Sequence, residues 1–476
     1  SIGSVACYPF YIDFLPVRAD HHGIASLCGF FTVLGLLIGS LQPGVGPARR
    51  WFTVSAVAGG LGLWISAATQ IPVLVGCGLG VLAAAWAGRK QTDRLPWMGS
   101  PELLRYWGLI GGSFSLVAWL IEYFPSHLGM RLEVNHPLYA LAWAGAGEVL
   151  RLGTIAMRSG RSALSRTDWI VGATALGAVG LLPLIILLTT TRTFVVADSF
   201  LWRIHYLHIA EFQGLVRILS AQGFGWNSLS LLLPMGLLVP PIMRALAGNT
   251  PPHLRALLLL ALLPALLVWV MGWNQIRWLG LAFALSLPAL ALYCRIRREA
   301  TPSGRSSLWA LLGIGLLFAP GLTSAVNRSI GASEFSRNDI MSLAERDVAH
   351  WLRLREGNRP VVVAGSPSTT TRLIHQGGLA GLGTLYWENA DGLKKAAALY
   401  GASSAEDAHD RVRQAGITHF VFYSWDGFEL SYAKLQRNLP EDAPVPADSF
   451  IARLLSSPMP PPWLKAIPFR LPDHPS

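Results

Sequence analysis

The sequence predicts a polytopic α-helical membrane protein of about ten spans with a C-terminal extracytoplasmic α/β domain. Three observations carry this. Of 476 residues, 52% are hydrophobic and 14% are charged, against about 25% charged in soluble proteins. The first two thirds of the chain contain repeated apolar runs near the roughly 20 residues that cross a bilayer. From about residue 325 the composition turns more charged and richer in Ser, with no further run. The domains are therefore drawn as 1–324, membrane-embedded, and 325–476, an α/β domain with a Pro-rich tail.

The predicted spans are 23–40, 51–68, 71–88, 106–124, 137–156, 168–190, 226–243, 256–272, 277–294 and 308–324. The run 51–88 has no charged residue and is too long for one span, so "ATQIP" is read as a turn. Span 137–156 carries Glu148 and Arg151, three apart. That spacing puts them on one helix face, where they can pair.

Orientation follows from the connecting loops. Arg49 and Arg50 follow the first span, and Arg89, Lys90 and Arg94 the third. Arg158, Arg161 and Arg166 follow the fifth, and Arg244 and Arg255 bracket the loop after the seventh. Arg295, Arg297, Arg298 and Arg305 follow the ninth. By alternation all these loops share a side, and the positive-inside rule makes it cytoplasmic. The net charge of +11 is thus a topology signal, and no nucleic-acid partner is inferred from it. The opposite face receives "VRADHHG", the loop 125–136, the long loop 191–225, "WNQIR" and the tail. This fits a bacterial inner-membrane protein whose working face is periplasmic. Cys7, Cys28, Cys77 and Cys294 are scattered and show neither a disulfide framework nor metal spacing. The chain opens on "SIGSVACYPF" without an initiator Met, which reads as the continuation of an earlier N-terminal part.

In the tail, "SLAERDVAHWLRLREG" has helical period and "RPVVVAG" reads as a buried strand. "STTTRLIHQGG" is the next helix, with Ser368 as cap and Gly377 as stop. "SAEDAHDRVRQAG" is a helix and "ITHFVFY" a strand. Alternating strands and helices predict a small parallel sheet. "AGSPSTT" lacks P-loop glycine spacing and reads as a plain strand-to-helix turn. The end, "SPMPPPWLKAIPFRLPDHPS", is Pro-rich and extended.

Three polar groups stand on the outer face. Asp20, His21 and His22 sit at the mouth of the first span. They form either a metal or proton site or a capped, wet helix end. In the long loop, "HYLHIAEFQGL" contains His205, His208 and Glu211. Either it is a surface helix, with His208, Glu211 and Leu215 on one face, or it is functional, as long loops often are. Arg277 opens a span, where it either snorkels to the interface or clamps a phosphate. Together, carboxylates and imidazoles suit Mg²⁺ or Mn²⁺, and an Arg beside such an ion suits a phosphate leaving group.

The order of these features resembles the catalytic subunit of oligosaccharyltransferases, within the C-type (GT-C) membrane glycosyltransferases. "ADHH" stands where that family has its Asp-x-Asp motif. "HIAE", ending in Glu211, resembles its Thr-Ile-x-Glu motif. "IRWLGLAFALSLPALAL" resembles its late span opened by Arg. The resemblance implies a metal held by Asp20, His22 and Glu211, with Asp20 and Glu211 catalytic. It implies Arg277 on the donor phosphate and His21 and His208 standing behind the ligands. The implied partners are a polyprenyl-linked glycan donor, membrane lipids and an acceptor of unstated class. The family's first metal-binding Asp lies in an earlier loop, upstream of this chain. Its Trp-Trp-Asp-Tyr-Gly motif is replaced by "AGSPS" after the first tail strand, and "SWDGF" (424–428) echoes it elsewhere. The acceptor is therefore open: a hydroxyl, an amide or a lipid-linked glycan. Rival readings are a C-type transferase using a polyprenyl-phosphate monosaccharide, a transporter or flippase, and a pseudoenzyme presenting its tail domain.

Overall fold

The computed structural model describes residues 21–90, 94–126, 128–129, 131–193, 198–222, 226–300, 315, 335, 337–385, 389–457 and 459–469. The chain divides into two compact units. One comprises Ser1–Phe194 and Ala210–Ser329, the other Val195–Ile209 and Ile330–Ser476. The first is mostly helical and the second is α/β.

In the first unit, α1 (His21–Ser40) leads into α2 (Val45–Gly88), α3 (Glu102–Glu122), α4 (Pro137–Ser159) and α5 (Arg166–Thr193). After the break come α7 (Leu215–Gln222), α8 (Trp226–Leu237), α9 (Val239–Leu246), α10 (Pro252–Asn274) and α11 (Leu279–Ala300). The helix α6 (Ser199–His208) lies between α5 and α7 in sequence and belongs to the second unit. Six helices among the described residues are long and apolar enough to cross a membrane: α1, α2, α3, α5, α10 and the stretch Ile276–Glu299. The protein is accordingly an integral membrane protein.

This count differs from the ten predicted spans for physical reasons. The two runs within 51–88 lie in α2, whose 44 residues amount to about 66 Å at 1.5 Å per residue, twice a bilayer core. The helix is interrupted by a non-helical Ser66 (φ −156°, ψ 89°) and carries Pro72. There Ser66 Oγ meets Thr69 Oγ1 at 2.9 Å, and Gln70 Nε2 donates to Thr32 Oγ1 at 3.1 Å. Those bonds satisfy polar groups that an apolar surround would penalise. Span 137–156 lies within α4, but its buried charges exclude it from the apolar set. Span 226–243 is split at Leu238 into α8 and α9, ahead of Pro240 and Pro241. The predicted span 308–324 lies outside the described residues, apart from the helical residue 315.

Close backbone approach holds these helices together, as expected where small residues line helix contacts. A Cβ on Gly76 would sit 2.5 Å from Pro264 Cα, joining α2 to α10. A Cβ on Gly108 would sit 2.7 Å from Gly147 Cα, joining α3 to α4. The expected Glu148–Arg151 pair forms, with Arg151 Nη2 to Glu148 Oε1 at 2.7 Å. Arg151 also reaches Glu102 at 3.1 Å and Asp168 at 3.0 Å, and Arg105 reaches Glu148 at 3.5 Å. One network thus ties the starts of α3 and α5 to α4.

In the second unit, α12 (Arg337–Glu356) carries Asp339 in its first turn and Arg353 and Arg355 in its last, matching the helix dipole. There follow β1 (Val362–Ala364), α13 (Pro367–Gly377), β2 (Ala380–Leu382), α14 (Ala390–Tyr400), α15 (Ala405–Ala415), β3 (His419–Phe420), α16 (Phe428–Gln436) and α17 (Phe450–Ser456). The strands form the expected parallel sheet, in the order β2-β1-β3. Val363 pairs with Gly381 on one side and His419 on the other. The cap of α13 is Ser366, not Ser368. Its side chain accepts from Thr369 N, Pro367 takes the first turn, and Gly378 ends the helix at φ 60°. Proline suits that position because it needs no partner for an N–H there, and glycine enters the left-handed region without cost.

The helix α6 is an unexpected member of this unit. Leu201 and Ile204 are buried in one core with Leu399, Tyr400 and Phe450. Asp198 caps the helix and pairs with Lys394 Nζ at 2.6 Å, and Arg203 donates to Asn438 at 2.8 Å and to the Leu439 carbonyl. Burial pushes the Asp198 carboxyl up, but Lys394 and the amides of Leu201 and Phe200 outweigh it and hold it below its ordinary value.

Candidate active site

Three segments far apart in sequence meet in the membrane unit. The first is the start of α1. Asp20 lies outside the described residues; His21 and His22 form the first turn, their rings stacked at 4.4 Å. The second is the short 3-10 turn Ala210–Phe212, which presents Glu211. His22 Nε2 stands 3.8 Å from Glu211 Oε2, with side-chain exposures of 23% and 46%. The third is the 3-10 turn Ile276–Trp278, which presents Arg277.

The second and third segments are joined through the backbone. Ile276 N donates to Gln213 O at 3.0 Å. Gly214 leaves room for Trp273 O, which would lie 3.2 Å from a Cβ there. The Arg277 guanidinium sits over the Phe212 ring at 5.2 Å and near Trp278 at 5.9 Å, within cation–π range. Arg277 is thus held beside the residue that follows Glu211. Phe212 adds to the site residues expected from sequence, and its only sequence signal is an aromatic adjoining "HIAE".

The His22–Glu211 distance is too long for a hydrogen bond. Two ligand atoms about 2.1 Å from one ion lie roughly 3.0 Å apart at a right angle and about 4.2 Å apart when opposed. A separation of 3.8 Å matches neither position, but it leaves the imidazole and carboxylate close enough to approach one divalent cation after a small side-chain shift. Among the described residues no group of three or more His, Cys, Asp or Glu forms a metal site.

His208 ends α6, and Glu211 follows on the 3-10 turn. Ile209 is extended (φ −98°, ψ 115°) and ends α6. His208, Glu211 and Leu215 therefore do not share a helical face, which corrects the surface-helix reading of the loop. His208 packs edge-on to Phe428 at 4.7 Å within the α/β unit. His205 is buried, with Nδ1 2.7 Å from Leu201 O.

In the α/β unit, "AGSPS" and "SWDGF" come together. Ser366 donates to Asp426 Oδ2, as does Thr369 Oγ1 at 3.3 Å, while Phe428 N donates to Asp426 Oδ1 at 3.2 Å. Neighbouring parallel strands end on the same side of a sheet, which places residues about 60 apart side by side. The α13 N-terminus is capped by its own Ser366, in keeping with a plain strand-to-helix turn.

No protein-family model matches the chain, and no curated protein does. Solved structures do. The oligosaccharyltransferase AglB from Archaeoglobus fulgidus, in complex with an inhibitory peptide and a dolichol-phosphate, matches with TM-score 0.58 at 12% identity, over 94% of this chain and 61% of that one. The Archaeoglobus fulgidus oligosaccharyltransferase in complex with Zn and sulfate matches with TM-score 0.57 at 12% identity, over 94% and 60%. The chain spans about three fifths of the length of the structures it matches. Over that length it shares the fold of these oligosaccharyltransferase structures.

Proposed function

We propose that the protein is a C-type membrane glycosyltransferase. It transfers a glycan from a polyprenyl-phosphate or -pyrophosphate donor to an acceptor on the extracytoplasmic face. The observation that carries this reading is the approach of His22 to Glu211 at 3.8 Å, beside an Arg277 held on Phe212, in a chain with an oligosaccharyltransferase fold. The orientation rests on the Arg- and Lys-rich loops falling on one side.

In this reading Asp20, His22 and Glu211 hold Mg²⁺ or Mn²⁺, with His21 as a supporting group. When bound, the ion neutralises negative charge on the departing phosphate. Arg277 offers two parallel N–H donors to phosphate oxygens, a geometry that Lys lacks. Its seat on Phe212 fixes the guanidinium before the donor arrives, so little ordering is left for the reaction. In the same reading Glu211 also orients the acceptor nucleophile and takes up its proton. The dolichol-phosphate in the AglB structure supports a lipid-linked donor. Phosphate and pyrophosphate donors differ in leaving-group charge, so comparing the two distinguishes monosaccharide from oligosaccharide transfer.

The test is Glu211→Gln in the full chain, assayed with a lipid-linked donor in detergent. Transfer should fall at least ~100-fold while expression and unfolding temperature stay near wild type. Full activity in that variant would sink the site assignment.

A further inference from the structure

The corner where α9 turns into α10 carries two arginines that no carboxylate neutralises. Arg244 lies in the last turn of α9 and Arg255 in the first turn of α10. Both grip the loop 247–250 between these helices. Arg255 Nη2 donates to Ala247 O at 2.6 Å, and Arg244 Nη1 donates to Asn249 Oδ1 at 3.3 Å. Thr250 Oγ1 closes the loop by donating to Arg244 O at 2.6 Å. Each guanidinium thus spends one nitrogen on the loop. Among the described residues neither has a carboxylate within ion-pair distance. Glu299, which acts on His253 two residues before Arg255, is held by Arg295 at 3.0 Å. Arg94 adds a further positive charge near His253. The Nε atoms of Arg244 and Arg255 are buried with no partner among the described residues. Buried donors are ordinarily paired, with protein or with a bound group.

This corner lies at the level of lipid headgroups. The 23 residues of α10 amount to about 35 Å, more than the ~30 Å hydrocarbon core, so its first turn reaches the polar layer. The apolar side of the corner is equally built. On α9, Val239, Met243 and Leu246 are 53%, 64% and 72% exposed. Their spacing of four and three residues puts them on one helix face. A short helix with an open apolar face beside arginines suits the membrane interface.

We propose that the α9–α10 corner binds an acidic phospholipid, its phosphate diester on Arg244 and Arg255 and an acyl chain along the apolar face of α9. Arginine forks pair with phosphate oxygens through parallel N–H donors. Basic pockets between helices at the membrane surface hold anionic headgroups in this way. The apolar face favours a lipid over free phosphate, and the uncompensated positive charge disfavours a headgroup that carries its own cation. The inference stands on the membrane unit alone and does not depend on the chemistry assigned to Glu211.

The experiment is native mass spectrometry of the full chain in detergent, titrated with phosphatidylglycerol or with phosphatidylcholine of the same acyl chains. Saturable phosphatidylglycerol binding is expected, roughly tenfold tighter than phosphatidylcholine. Arg244→Gln/Arg255→Gln should weaken it roughly tenfold or more, as expected for lost hydrogen bonds between charged groups. Arg244→Gln alone, whose side-chain bond reaches only the exposed Asn249, should show part of that loss with the unfolding temperature unchanged. Arg297→Gln/Arg298→Gln removes the same charge from exposed positions at the end of α11 and should bind like wild type. Inorganic phosphate in large excess should not displace the lipid. The inference is overturned if the Arg297/Arg298 variant loses as much affinity as the Arg244/Arg255 variant, which would mark a diffuse charge effect. It is also overturned if Arg244→Gln binds like wild type, if phosphatidylcholine binds as tightly, or if inorganic phosphate displaces the lipid.

Discussion

Replacing Arg151 by Met probes the energetics of the membrane unit. The change keeps the apolar stem and removes a guanidinium that reaches Glu148 at 2.7 Å, Asp168 at 3.0 Å and Glu102 at 3.1 Å. Glu148, whose side chain is 10% exposed, is left with Arg105 at 3.5 Å, and Arg105 is 52% exposed. Removing one partner of a buried pair costs ~3–5 kcal/mol, because the remaining charge stays desolvated. A solvent-screened Arg105 offsets ~1 kcal/mol at most, so a loss near 3 kcal/mol is expected. Glu102 and Asp168, more exposed, add little. The double variant Glu148→Leu/Arg151→Met leaves no buried charge at this position and should recover most of the loss, giving a coupling of ~2 kcal/mol. The assay is thermal unfolding in detergent of wild type, both single variants and the double variant. The reasoning fails if Arg151→Met lies within ~0.5 kcal/mol of wild type, or if the double variant is as unstable as Arg151→Met alone.

Other outcomes follow from packing and charge. Gly76→Leu should prevent α2 from seating on α10, because even its Cβ would lie 2.5 Å from Pro264 Cα; a loss of ~1–3 kcal/mol or more is expected in the same unfolding assay. Burial, helped by Asp426, raises the Glu429 carboxyl from 4.5 to about 7. The folded state then binds more protons than the unfolded state between these values, so stability falls as pH rises from about 4.5 to about 7, by ~3 kcal/mol. Hydrogen exchange in α16 followed over that range should show the slope in wild type, and Glu429→Gln should abolish it. In α6, Lys394→Ala removes a partly exposed ion pair and should cost ~0.5 kcal/mol. Asp198→Ala also removes the helix cap and should cost ~1 kcal/mol more; equal exchange rates in α6 of the two variants would contradict the capping role.

Local signals were legible in the sequence and survive in the structure. The Glu148–Arg151 pair depends only on three-residue helical spacing, and the α15 helix starts and stops at Ser404 and Gly416 as its residues dictate. The parallel sheet was readable from alternating strand and helix patterns. Where two local signals compete, the sequence was ambiguous. Ser366 and Ser368 can both cap, and the choice of Ser366 follows from Pro367 occupying the first turn. Short elements such as β2 and α16 lack a period long enough to read.

The sequence by itself determined the membrane character of the chain, the existence of the α/β unit and the residue types at the candidate site. These follow from composition and from spacing along a single element. Only the tertiary structure decided that α6 belongs with the α/β unit while Glu211, three residues past its end, belongs with the membrane unit. It alone brought His22 to Glu211, seated Arg277 on Phe212, and set Asp426 beside Ser366. Such contacts join segments 60 to 190 residues apart, and no local pattern encodes them. They arise because burying apolar surface and pairing buried polar groups select one arrangement of the whole chain.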